Sequence, residues 1–113
     1  MTIITILQVI AAILTALTGL LAVIKPSSVY GFIGLTSSSV RGVTEIRSIF
    51  GGLFIALGVA PLFLGPTAYL MLGIGYLAIA LVRAFSIVLE KSTASSNLIS
   101  LGIEILLGII LVL

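Results

Sequence analysis

Four apolar stretches, each about long enough to cross a membrane as a helix, fill almost the whole of this 113-residue sequence. A helix needs about 20 apolar residues to cross the roughly 30 Å hydrocarbon core of a bilayer. Lys25-Pro26, Gly65-Pro66 and the polar stretch EKSTASSN (90–97) interrupt the apolar sequence. The predicted spans are residues 3–24, 43–64, 67–89 and 98–113. The sequence therefore predicts an all-α fold: one domain, residues 1–113, forming an integral membrane bundle of four transmembrane helices.

The first stretch has an alternative interpretation as a cleaved signal peptide. A signal peptide has a basic segment ahead of an apolar region of roughly 7 to 15 residues and a small-residue cleavage site after it. No basic residue precedes Ile3, the stretch is longer than this, and no convincing cleavage site precedes Lys25. We therefore expect it to be a membrane helix.

Composition limits the chemistry that this chain can perform. Hydrophobic residues make up 61% of it and charged residues only 7%, and the five basic residues form no cluster, so we expect no nucleic-acid partner. The sequence contains no Cys, His or Asp, the residues that most nucleophilic triads and metal sites require. We predict no catalytic residues, no cofactor and no metal, and consider an enzyme the less favoured class.

The basic residues near the span ends predict an orientation. Lys25 and Arg41 lie in the first connection and Lys91 in the third, whereas the second connection and both terminal segments carry no Lys or Arg. Basic residues favour the cytoplasmic side. We expect the loops 25–42 and 90–97 to be cytoplasmic.

Small and polar residues recur at helical spacing along each span, as they do where membrane helices pack closely and hydrogen-bond to one another. The faces are Gln8, Ala12, Thr15, Gly19 and Ala22; Glu45, Ser48, Gly52, Ala56 and Ala60; Tyr69, Gly73, Tyr76, Ala80, Arg83 and Ile87; and Asn97, Ser100, Glu104 and Gly108. We predict that these faces turn inward. The candidate helix-packing residues are Gly51, Gly52, Ala56, Gly73, Ala80 and Gly108.

Charged residues inside the spans are the candidate site: Glu45, Arg47, Arg83 and Glu104, with Tyr76 and Ser48 beside them. Ionisable groups at this depth are costly unless they are paired. We predict an Arg83–Glu104 pair, with Glu45 and Arg47 completing one network in the same leaflet. Arg47 has a second interpretation, in which it shares a packing face with Gly51 and Gly58 or extends to the phosphate level.

The first connection mixes apolar, aromatic and small residues in the stretch SSVYGFIGL, residues 27–35. This pattern predicts a segment, with a short helix in it, at the membrane interface. The alternative is a re-entrant or lid segment that covers the charged residues. Residues 36–42 and 95–97 supply candidate N-caps for the helices that follow them.

The stretches TEIRSIFGGLFIALG (44–58) and LVRAFSIVLE (81–90), with a Glu in the fourth span, resemble the bacterial membrane family numbered 4345 among the domains of unknown function. In general appearance the chain is also similar to DoxX-like proteins. The matching positions are Glu45, Arg47, Gly51, Gly52, Arg83, Ser86 and Glu104. Family members often carry Asp-Gly after the third helix, where this chain has Glu90-Lys91. The resemblance implies a small protein with four helices in a bacterial cytoplasmic membrane, and it implies no particular activity.

Two functions fit these features. The first is an accessory or interaction subunit, whose helices dock on a larger membrane assembly or on copies of the same chain. The alternative is a binder or carrier of a small lipophilic or anionic molecule within the bundle. A pocket lined by Arg83, Glu104 and Tyr76 would favour the binder, whereas a tightly packed interior would favour the subunit. For the charges themselves, a network that only fixes helix register is the structural interpretation.

Overall fold

Four long helices make up most of the protein. The computed structural model describes residues 2–33, 35–91 and 94–113, and these contain helices and turns but no strand. The helices are α1 (Ile3–Ile24), α2 (Val40–Leu64), α3 (Pro66–Glu90) and α4 (Ser95–Val112), each long and apolar enough to cross a membrane. The predicted all-α bundle of four transmembrane helices is confirmed, and the chain is an integral membrane protein.

Local sequence sets the ends of the central helices. The Ser39 side chain accepts a hydrogen bond from the Gly42 N–H (3.0 Å) and caps the start of α2, within the predicted cap region. Gly65, at φ 84°, ends α2 in a conformation that favours glycine, and Pro66 begins α3. The predicted caps at residues 95–97 are wrong, because Ala94 holds the cap position of α4.

The first connection contains two short helical turns, a 3₁₀ turn at Pro26–Val29 and an α-helical turn at Tyr30–Ile33. Val29 is buried, and it packs in a cluster with Ala22 of α1 and Ile46 of α2. The Tyr30 hydroxyl donates to the Ser37 carbonyl oxygen over 3.3 Å. The segment is thus folded back against the helices on either side of it.

Glycines bring α1 and α2 into close contact. A Cβ on Gly19 would lie 2.6 Å from the carbonyl oxygen of Gly51, and a Cβ on Gly58 would lie 2.5 Å from the backbone nitrogen of Ala16. Only glycine allows two backbones to approach this closely. These contacts hold α1 and α2 together as the first hairpin.

The second hairpin, α3 with α4, is built in the same way. A Cβ on Gly73 would lie 2.7 Å from the Cβ of Leu111, and a Cβ on Gly108 would lie 2.6 Å from Leu77 Cδ2. Ala80 of α3 is also buried. Each long helix therefore packs mainly on its hairpin partner.

The face of α2 that turns inward differs from the prediction. Glu45, Ser48, Gly52 and Ala56 are exposed, and no heavy atom lies within 4 Å of the position of a Cβ on Gly52. The reason is a π-helical segment, Ile46–Leu53. Its wider turn places Ile46 and Gly51, five residues apart, on the buried side of the helix.

The other three helices bury the faces that the sequence predicts. On α1, Ala12, Thr15, Gly19 and Ala22 are buried, as is the neighbouring Ala11. Gln8 donates to the Ile110 carbonyl oxygen over 3.0 Å and so links the two hairpins. Large apolar side chains on the outer faces, such as Phe63 and Val88, are exposed, which is the expected surface for contact with lipid.

Candidate functional site

A cavity of about 340 Å³ lies between the two hairpins. All four long helices and the first connection line it, and most of its wall is apolar. The apolar part includes Leu14, Val29, Ile33, Phe50, Phe54, Ile79, Ile103 and Leu107. The polar side chains in the wall are Thr18, Tyr76, Arg83, Ser100 and Glu104. Binding sites for small molecules have this character, with an apolar lining and a few placed polar groups.

Arg83 and Glu104 form a bidentate ion pair in the wall of this cavity. Arg83 Nε donates to Glu104 Oε1 over 2.7 Å, and Arg83 Nη2 donates to Glu104 Oε2 over 2.8 Å. Arg83 Nη1 also donates to Asn97 Oδ1 over 2.8 Å. Parallel hydrogen bonds of this kind are among the strongest that charged side chains make. The pair therefore fixes α3 against α4 at this level.

The position of the pair follows from helix periodicity. Asn97, Ser100 and Glu104 are spaced by three and four residues, so they lie on one face of α4. That face meets Arg83 across the interface between the helices. The Glu104 side chain is only 12% exposed and that of Arg83 29%, so the two charges are matched in a place largely closed to solvent.

The Ser100 hydroxyl makes no hydrogen bond within the described part of the chain, although Ser100 is only 5% exposed. It belongs to the cavity wall, beside Arg83 and Glu104. A hydroxyl that borders a cavity can donate and accept hydrogen bonds. The Ser100 hydroxyl can therefore hydrogen-bond to a group inside the cavity.

Tyr76 is held in place from the first hairpin. Its hydroxyl is hydrogen-bonded to Thr15 Oγ1 of α1. Thr15 donates its own proton to the Ala11 carbonyl oxygen over 2.8 Å, so Tyr76 is the donor in the bond between the two side chains. Thr15 was predicted only as a packing residue. Its helical spacing with the other polar residues of α1 is the sequence signal for a hydrogen bond to a neighbouring helix.

The predicted network of four charges is not formed. The Glu45 carboxylate instead accepts from Arg41 Nε over 3.1 Å, and the two side chains are 53% and 83% exposed. Arg47 is exposed and pairs with neither Glu45 nor Glu104, and Ser48 is exposed as well. Arg47 and Ser48 belong to the π-helical segment, and its buried residues are Ile46 and Gly51 instead.

Arg41 is the residue that the sequence reasoning missed in this part of the molecule. It lies four residues before Glu45, the spacing at which two side chains on a helix meet. An exposed pair at this spacing contributes little to stability. Glu45 and Arg41 are therefore a surface feature near the start of α2, separate from the cavity.

The first connection contributes Val29 and Ile33 to the same cavity wall as Arg83 and Glu104. The segment thus lies at the cavity, and the alternative in which it covers the charged residues stays a prediction. Its contribution is apolar, so it adds to the apolar part of the wall. A low-dielectric surrounding strengthens the attraction between the two charges.

The fold and the cavity define a small integral membrane protein of four helices, with a mostly apolar cavity between its hairpins that has one polar region. Comparison of the chain with protein-family models, with curated proteins and with solved structures finds no match. The conclusions about function therefore depend on the residues and geometry described above.

Proposed function

We propose that the bundle binds a small lipophilic molecule with an uncharged polar head in the cavity between its hairpins. The observation that carries this proposal is the cavity itself, about 340 Å³ in volume, with Arg83, Glu104 and Tyr76 in its wall. Its volume falls within the range of roughly 300 to 1,000 Å³ that is typical of small-molecule sites. Among the two functions considered from the sequence, this geometry favours the binder over the accessory subunit.

The polar wall offers hydrogen bonds that no residue in the described part of the chain takes up. A guanidinium has five N–H donors, and Arg83 gives three of them to Glu104 and Asn97, which leaves two. The Ser100 hydroxyl adds a group that both donates and accepts. A ligand oxygen that accepts from Arg83 and bonds to Ser100, such as a hydroxyl or carbonyl oxygen, fits this arrangement.

Charge balance favours an uncharged head over an anionic one. The Arg83 charge is already matched by both oxygens of Glu104. A ligand carboxylate would add a second negative charge beside Glu104 in a place largely closed to solvent, where an unmatched charge is costly. The same reasoning disfavours a cationic head, which would lie beside Arg83.

Photolabelling in lipid nanodiscs tests this function. The probe is 1-decanol with a diazirine next to the hydroxyl-bearing carbon, and labelled residues are located by peptide mass spectrometry. We expect saturable labelling of cavity-wall residues that lipid does not reach, such as Val29 and Leu107, abolished by excess 1-decanol. Decanoate and decylammonium should compete at least about tenfold less well. Labelling confined to lipid-facing residues, or unaffected by excess 1-decanol, would overturn the proposal.

A second candidate function is the accessory or interaction subunit. Ser48, Gly52 and Ala56 recur every four residues on the exposed face of α2, and a second membrane helix packs well on a face of this kind. The chain has no Cys, so single-Cys variants report self-association cleanly. Oxidation of membranes should crosslink a Gly52→Cys variant. Gly102→Cys is the control, because its position is equally open, and it should not crosslink. Equal crosslinking at both would count against a specific contact between copies.

The family resemblance and the location in a bacterial cytoplasmic membrane are part of this proposal. They are supported by the residues quoted from α2 and α3 and by the Glu in α4. The Arg83–Glu104 pair gives two of those residues a shared physical role. The exposed Glu45 and Arg47 have no such role in the cavity.

A further inference from the structure

A second, smaller cavity of about 120 Å³ adjoins the first. Phe54, Tyr76 and Ile79 belong to the walls of both cavities, so the two cavities meet at these side chains. Beyond them, Leu57, Met71 and Gly75 line the smaller cavity. Except for the hydroxyls of Tyr76 and Thr15, which bond to each other, its lining is apolar.

We infer that this smaller cavity is a subsite for an apolar chain of the ligand, whose polar head lies beside Arg83 and Ser100. The inference rests on the proposed function and adds the chemical class of the ligand: a single-chain amphiphile such as a long-chain alcohol. A cavity of this size suits an apolar group, since an engineered cavity of about 150 Å³ lined by apolar side chains stays dry and binds benzene.

The order of the residues along α3 gives the direction of the ligand's apolar chain. Arg83 lies at the polar region, Tyr76 and Ile79 at the boundary, and Met71 in the smaller cavity. From Arg83 to Met71 the helix rises about 18 Å, at 1.5 Å per residue. A ligand that fills both cavities is therefore extended along α3.

The smaller cavity is reached from the lipid side. Leu57 of α2 and Met71 and Ile79 of α3 are exposed on the outside of the bundle as well as lining the cavity. The cavity thus opens between α2 and α3, the helices that belong to different hairpins. An apolar chain can enter here from the hydrocarbon core without crossing water.

Gly75 allows the subsite to be filled without disturbing the fold. No heavy atom lies within 4 Å of the position of a Cβ on Gly75, and the same holds for Gly102 on α4, which lines neither cavity. Gly75→Phe should occupy the smaller cavity, and Gly102→Phe is the matched control. Gly75→Leu introduces a smaller side chain and is used if the Gly75→Phe variant is not monodisperse.

The experiment uses two 1-decanol probes in nanodiscs, one with the diazirine beside the hydroxyl and one with it at the far end of the chain. We expect the far-end probe to label Leu57, Met71 and Leu72, with loss of that label when 1-decanol is in excess. Gly75→Phe or Gly75→Leu should reduce this label at least about tenfold and retain labelling of the larger cavity by the first probe. Gly102→Phe should change neither.

Three results would overturn the inference. Labelling of the larger cavity by both probes would place the ligand's apolar chain in the larger cavity. An unchanged far-end label in the Gly75 variants, or one that excess 1-decanol does not reduce, would indicate bilayer lipid at the surface. If the hydroxyl-side probe labels the larger cavity saturably, these results leave the proposed function standing. If that probe does not, the proposed function fails, and this inference fails with it.

Discussion

At the scale of single residues, Arg83 and Glu104 determine the character of the cavity. Each would be costly alone in a place largely closed to solvent, and each offsets the charge of the other through two short hydrogen bonds. Asn97 takes a third N–H of Arg83, and Ser100 remains without a partner in the described part of the chain. The result is a neutral polar region that still has hydrogen bonds to offer.

Glu104→Gln should destabilise the protein because it leaves the Arg83 charge unmatched. We expect a loss on the order of 3 kcal/mol in the free energy of unfolding, measured by denaturation in mixed detergent micelles. A double variant, Arg83→Met with Glu104→Leu, should recover much of the loss, since it removes both charges.

Glu45→Gln is the matched control for this substitution. It also neutralises a glutamate paired with an arginine, but that pair is exposed and should contribute less than about 1 kcal/mol. Equal losses from Glu104→Gln and Glu45→Gln would contradict the role assigned to the buried pair.

At the scale of the elements, the π-helical segment of α2 determines which residues face the interior. Ile46–Leu53 turns Ile46 and Gly51 inward and leaves Ser48 and Gly52 outside. Gly51 and Gly58 then pack on α1. Because Phe50 of this segment and Phe54 directly after it line the cavity, the segment also shapes the apolar wall.

Two glycine substitutions on α2 should therefore have opposite effects. Gly58→Ala places a Cβ 2.5 Å from the Ala16 nitrogen and should cost about 1 to 3 kcal/mol through forced separation of α1 and α2. Gly52→Ala meets no heavy atom within 4 Å, and it should be neutral or stabilise the helix by up to about 1 kcal/mol. Thermal unfolding in one detergent compares them. A more damaging Gly52→Ala would mean that the inward face of α2 is the predicted one.

Particular residues show how far the sequence predicts this structure. The inward faces of α1, α3 and α4 follow ordinary α-helical spacing, so Thr15, Ser100 and the Arg83–Glu104 pair were within reach of sequence reasoning. The face of α2 was not, because the same reasoning assumes i, i+3 and i+4 neighbours, whereas a π-helical segment brings residues five apart together. The cavity was also beyond reach, since the gap between the hairpins depends on how all four helices pack.

At the scale of the whole molecule, the bundle is two tight hairpins with a looser contact between them. Glycines allow the two helices of each hairpin to pack closely. The larger cavity lies where α1 and α2 meet α3 and α4. The smaller cavity opens between α2 and α3. A bundle arranged in this way can admit a lipophilic molecule from the side while its outer faces stay in contact with lipid.

The orientation of the bundle is a prediction at this scale. Ser38 lies in the first connection and Thr67 near the turn between α2 and α3, and both are exposed. With loops 25–42 and 90–97 in the cytoplasm, a membrane-impermeant maleimide added to intact cells should label Thr67→Cys and not Ser38→Cys. Labelling of Ser38→Cys alone would reverse the orientation.

The central claim is that the larger cavity holds one lipophilic molecule through its polar wall. Native mass spectrometry of the protein in nanodiscs, titrated with 1-decanol, tests it most directly. We predict a single saturable adduct, with affinity reduced about three- to tenfold by Ser100→Ala through loss of one hydrogen bond. Ser48→Ala, at an exposed serine of α2, should leave the affinity unchanged. Adducts that accumulate without saturation, or equal affinities in the two variants, would contradict the account.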